Sequence, residues 1–117
     1  MGGLRDIIQG FSTGDAVRGA AIIGEDGLVI HDAFTSGADG EAIAALAVTT
    51  MRHAEQLGSA GGCGPLRALV LDFGGGPAIL TSLTSGATLV VLARAERDLG
   101  SLLYEIRTRR DALTGLL

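Results

Sequence analysis

The sequence predicts an α+β domain, an antiparallel five-stranded sheet with helices on both faces. Three observations carry this. Helical and extended periodicities follow one another in the order αββαβββα; short glycine-containing joints separate neighbouring strands, as hairpins require; and several strands are apolar on both alternations, which a sheet with one wet face would not be. The 117 residues make one such domain, 1–117, large enough to bury a core without metal or disulfide staples.

Leu4, Ile7, Ile8 and Phe11 fall at i, i+3, i+4 and i+7, the stripe of a short first helix ending near Gly14. Residues 17–23 and 28–34 are β-like runs joined by Gly24-Glu-Asp-Gly27, where Asp26-Gly27 supplies positive φ for a hairpin. A polar stretch, 35–40, leads to a long helix from about Glu41 to Leu57, with Asp39 or Ser36 as its cap, Glu41 complementing the dipole and Gly58 as its stop. After a glycine-rich loop, 66–73 has strand length and composition, and Gly74-Gly-Gly-Pro77 breaks the run. Residues 78–83 and 88–93 flank a turn at Ser85-Gly86 and complete a three-stranded meander. The last helix carries Leu99, Leu102, Leu103, Ile106, Arg110 and Leu113 on one side, while Glu105, Arg107 and Arg109 mark a solvated face.

Composition excludes several functions. Hydrophobic residues reach 47% but aromatics only 3%, so the core is built from Ala, Val, Leu and Ile and offers few stacking platforms. A net charge of −4 and a sequence pI of about 4.9 argue against a footprint for nucleic acid or anionic lipid. No apolar run reaches the ~18 to 20 residues of a membrane span, and no basic and apolar leader opens the chain; with the lone Cys63 unable to form an internal disulfide, a cytoplasmic protein is expected.

Chemistry-bearing motifs are sparse. Gly74-Gly75-Gly76 follows a strand but precedes another strand, whereas a phosphate cradle needs a helix N-terminus, so a connecting loop is the better reading. His31, His53 and Cys63 have no ligand spacing, and no Ser/His/Asp set is indicated; no cofactor, metal or catalytic residue is assigned. Cys63 has no adjacent cation to activate it, and Arg107, Arg109 and Arg110 read as a charged helix end.

Two features call for a partner. The segment 42–48 is apolar through almost two turns; with Ile43, Leu46, Thr50 and Leu57 facing the sheet, Ala44, Ala45 and Val48 remain on another side, small enough to admit a second helix. The strand containing Ala68, Leu69, Val70 and Leu71 falls at an edge if the first hairpin and the meander join through their inner strands, and an apolar edge is a liability. A two-fold pairing of that strand and helix with their copies answers both, which makes these seven residues the expected dimer interface.

The pattern resembles the Roadblock/LC7 family over nearly the whole chain, from Leu4 to about Leu113. The resemblance rests on VRGAAIIGEDGLVI (17–30), on the Ala-rich helix ending in RHAEQLG (52–58), and on LVVLA (89–93) followed by DLGSLLYEIR (98–107). It implies a profilin-like αββαβββα fold with the terminal helices on one sheet face and the middle helix on the other, and dimerisation through that helix and the third strand. It further implies a non-catalytic partner or regulator of a Ras-like small GTPase, as bacterial members often are, including the gliding-motility switch. The contact surface is expected around Glu41, Ala45, Val48, Thr49 and Arg52 on the paired helices. The family has no shared catalytic residue to carry over. The chain also lacks the longer C-terminal extension of some GTPase-activating members, so binding is expected rather than activation; for an arginine supplied in trans, Arg52 and Arg67 are only the nearest candidates. A heterodimer with a paralogue is an alternative to the homodimer, and a small-molecule sensor or structural scaffold an alternative to the GTPase regulator; an enzyme ranks last.

Overall fold

The computed structural model describes residues 17–34, 37–83, 86–95 and 98–116. Five strands, β1 (Val17–Ile23), β2 (Val29–Phe34), β3 (Leu69–Phe73), β4 (Gly76–Ser82) and β5 (Thr88–Ala93), form one sheet in the order β2-β1-β5-β4-β3. All neighbouring pairs are antiparallel. Two helices are described, α1 (Gly40–Ala60) and α2 (Leu99–Leu116). The expected first helix, Leu4 to Phe11, lies outside the described residues, as do Ser36, Ser85 and the side chain of Leu113.

Alternation along the inner strands sorts two cores. Ala20, Ile22, Ile79, Leu89 and Val91 pack on one face with Leu102 and Ile106 of α2. Ala21, Ile23, Ala78, Leu80 and Val90 pack on the other with Ala44, Ala47 and Met51 of α1. The double apolar alternation seen in the sequence is thus a sheet sandwiched between the middle and last helices. Each fully covered Leu or Ile contributes about 2 kcal/mol by leaving water.

Local chemistry sets the element ends. In the first hairpin Gly24 and Leu28 close the turn, with Gly27 at φ +84 and the Leu28 amide donating to Asp26 Oδ1 at 3.1 Å. Asp39 caps α1 by accepting from the Ala42 amide at 3.2 Å. Gly58, the expected stop, is instead inside α1, where a glycine costs about 1 kcal/mol and no more. The helix runs on to Ala60, with Gly62 at φ +66, its amide donating to the Ser59 carbonyl, and the Cys63 amide donating to the Gly58 carbonyl. That pair of bonds is a Schellman motif, and its left-handed position is what demands glycine.

The third strand begins at Leu69 rather than Leu66, because its ladder with β4 starts at the Leu69–Leu80 pair. Gly74-Gly75 is a two-residue turn, and β4 already includes Gly76 and Pro77, two residues earlier than the glycine run suggests. Gly76 holds φ +127 with its Cα against the backbone of Ala93 to Ala95, so close that any Cβ there would overlap the Ala93 carbonyl oxygen. Asp98 opens α2, accepting from the Gly100 amide at 3.2 Å and the Ser101 hydroxyl at 2.7 Å.

Candidate functional site

The orientation of α1 differs from the expected one. Ala44, Ala47 and Met51 face the sheet and are nearly fully buried, with Ile43 and Val48 flanking them, whereas Leu46 and Leu57 are 65% and 75% exposed. The helix is therefore turned by roughly one residue's step, about 100°, from the expectation that put Leu46 and Leu57 against the sheet. Small alanines let the helix axis approach the strands closely, and the larger leucines are left outside. Ala44, expected at a dimer interface, is corrected to the core of its own chain, where no second helix can reach it.

Turning the helix this way creates a groove. Glu41, Ala45, Val48, Thr49 and Arg52 form one wall, and the β1–β2 turn with the start of β2, Glu25 to Val29, forms the other, enclosing about 860 Å³. All five residues expected from the sequence to meet a partner line this one groove. A Cβ added at Gly27 would lie 4.0 Å from the Ala45 Cα, so the turn faces the helix there. Thr49 donates to the Ala45 carbonyl at 3.2 Å, which ties its hydroxyl to the helix and leaves its methyl group available to the groove. Charge is polarised along the site, with Glu25, Asp26 and Glu41 as carboxylates and Arg52 as its cation. Sequence reasoning missed residues 25–29 as a wall; the short link from β2 into α1 was the signal that the turn and helix are neighbours.

The edge strand is placed as expected, with β4 as its only partner among the described strands. Leu69 and Leu71 lie half-buried against the α1-side core, Val70 is exposed on the opposite face, and Phe73 stands 59% exposed at the strand end. Ala68 precedes the strand and, with Arg67, lines a separate groove beneath α2. Arg52 and Arg67, the two candidates for an arginine supplied in trans, line different grooves, on opposite sides of the sheet.

The histidines and the cysteine singled out in the sequence lie apart. His31 and Asp32 alternate to opposite faces of β2, His53 is exposed on α1, and Cys63 is exposed after it. Among the described residues no group of three or more His, Cys, Asp or Glu is placed to hold a metal ion, and no helix is long and apolar enough to cross a membrane. The Gly74-Gly75 turn joins two antiparallel strands and presents no helix N-terminus to a phosphate.

Comparison with known proteins agrees with this fold. A family model described as the Roadblock/LC7 domain matches residues 6–93. An uncharacterised protein of Methanocaldococcus jannaschii is 30% identical over 98 residues, covering 84% of this chain and 83% of its own. The crystal structure of a Roadblock/LC7 domain from Streptomyces avermitilis superposes with a TM-score of 0.85 at 23% identity, over 97% of both chains. MglB of Myxococcus xanthus does so with a TM-score of 0.87 at 18% identity, over 96% of this chain and 92% of its own. At such identities these two likenesses establish the fold.

Proposed function

The chain belongs to the Roadblock/LC7 domain family, and from that premise we propose that two copies of it form a non-catalytic regulator or adaptor that binds a Ras-like small GTPase in the cytoplasm. The observation that carries the reading is the groove between α1 and the β1–β2 turn, into which Glu41, Ala45, Val48, Thr49 and Arg52 converge. It is open to solvent and lined by both apolar and charged residues, the character of a protein-docking surface. Pairing of two chains is supported by the open edge of β3 and by Leu46, Leu57 and Phe73, large apolar side chains left exposed on α1 and at the end of β3. Leu46 and Leu57 stand on the helix flank turned away from the groove, so one helix can meet its copy and still present the groove outward.

The test is solution mass by light scattering, for the protein alone and mixed with a Ras-like GTPase encoded beside it, loaded with GDP or with a non-hydrolysable GTP analogue. The expected result is a species of twice the 11.8 kDa chain mass that gains the GTPase in one nucleotide state. A stable monomer, or a dimer indifferent to both forms, overturns the proposal.

A further inference from the structure

A second groove, of about 300 Å³, lies on the opposite side of the sheet, between α2 and the approach to β3. Among the described residues Arg67, Arg107 and Arg110 line it, together with the single carboxylate Asp111, over a floor that includes Leu103 and Ile106. On α2 these positions recur at i, i+3, i+4, i+7 and i+8, one face of the helix, so the guanidinium groups are brought there by the same periodicity that buries Ile106 to 2% exposure. Arg67 comes from the sheet side and is held in place: the hydroxyl of Thr81, itself buried, donates to its carbonyl oxygen at 2.8 Å.

Among the described residues these three guanidinium groups are left for a ligand. Among the described residues, no hydrogen bond or ion pair engages the side chain of Arg67, Arg107 or Arg110, whereas Arg109, between them on the helix, is paired with Glu105 at 3.2 Å. The chain as a whole carries −4, yet this groove gathers three cations against one anion. Guanidinium groups present planar forks of donors that match the oxygens of a phosphate, and clusters of them are a recurring way of recognising a doubly charged one.

We propose that this groove binds a phosphomonoester dianion, held by Arg67, Arg107 and Arg110 and opposed, among the described residues, by the carboxylate of Asp111. The site is independent of the GTPase reading, since it lies across the sheet from the groove assigned to that partner. A phosphomonoester can arrive as a soluble compound or as a lipid headgroup, and the two are separable.

The experiment follows the arginine Nε–H signals of the ¹⁵N-labelled full chain during titration with inorganic phosphate at constant ionic strength, and cosedimentation with phosphatidylcholine vesicles with and without phosphatidic acid. The expected result is saturable shifts at Arg67, Arg107 and Arg110 with Arg109 unmoved. R67A and R107A should each weaken phosphate binding roughly tenfold or more, while R109A leaves it unchanged; the exposed positions of 67 and 107 keep the fold intact, checked by unchanged thermal melting. Sedimentation dependent on phosphatidic acid and reversed by phosphate assigns a lipid headgroup; saturation by phosphate without sedimentation assigns a soluble ester. Shifts that never saturate, that move Arg109 equally, or that survive R67A and R107A overturn the proposal.

Discussion

Gly76→Ala is the sharpest perturbation the fold suggests. The residue sits at φ +127, a conformation that side-chain-bearing residues rarely adopt, and its Cβ would overlap the Ala93 carbonyl oxygen. Conformational strain of this kind costs on the order of 1–3 kcal/mol. The obstacle is main chain rather than a side chain that could swing aside, so the turn must shift and the Phe73–Gly76 pairing suffers, for about 1 kcal/mol more. The sum is about 3 kcal/mol. Gly74, two residues away in the same turn, has no atom within 4 Å of the place a Cβ would occupy, and Gly74→Ala should change stability by about 0.5 kcal/mol or less. With a urea m-value of about 1.5 kcal/mol/M, Gly76→Ala lowers the unfolding midpoint by about 2 M while Gly74→Ala barely moves it. Both variants are melted at the same protein concentration, because the proposed pairing of two chains would make apparent stability concentration-dependent. Equal effects at the two glycines, or a loss below about 0.5 kcal/mol at Gly76, would refute the close approach of this turn to the end of β5.

Three further outcomes are expected. Met51→Ala should cost about 2–5 kcal/mol in chemical denaturation, since Met51 fills the α1 core, whereas Leu57→Ala should cost under about 0.5 kcal/mol in the isolated chain; the reverse order would restore the orientation expected from the sequence. Asp39→Ala should lose about 1 kcal/mol through its cap on the Ala42 amide, and Asp39→Asn should recover most of it, as read by thermal melting. Leu46→Glu should reduce the light-scattering mass from twice the chain mass to 11.8 kDa without loss of circular-dichroism signal, and an unchanged dimer would place the interface elsewhere.

Much of the fold is legible because the relevant signals are local. The strands 17–23 and 88–93 are apolar on both alternations, a pattern that burial on two sides alone accounts for, and both coincide with the expected runs to the residue. Asp39 is legible as a cap because a short acceptor side chain directly precedes a helical stretch with Glu41 in its first turn. What escapes depends on competition between positions. Gly58 reads as a stop since it is the first glycine after the helical run, but a glycine is only mildly costly inside a helix, and the helix ends where Gly62 can take a left-handed φ. The rotation of α1 escapes because large apolar residues are expected inward, and only tertiary packing shows that Ala44 and Ala47 bring the axis closer to the sheet than Leu46 could. For the groove, the helix wall follows from the family resemblance and the paired-helix reading, while the wall at residues 25–29 is set by how the hairpin leans on α1. The arginine groove is less visible still: Arg107 and Arg110 read as a solvated helix end because Arg67, far earlier in the chain, joins them only through the sheet.

The strand order has a consequence for synthesis. β5 lies at the centre, between β1 and β4, and is the last strand to leave the ribosome. Both hairpins, β1–β2 and β3–β4, can form beforehand, but each then exposes one apolar inner edge. At translation rates of about 5–20 residues per second, the interval between completing β1 and completing β5 lasts from a few seconds to somewhat over ten. For most of that interval the first hairpin waits alone with an open edge, the second joins it only after Ser82, and a stall before Thr88 would prolong the state in which neighbouring nascent chains can pair with each other.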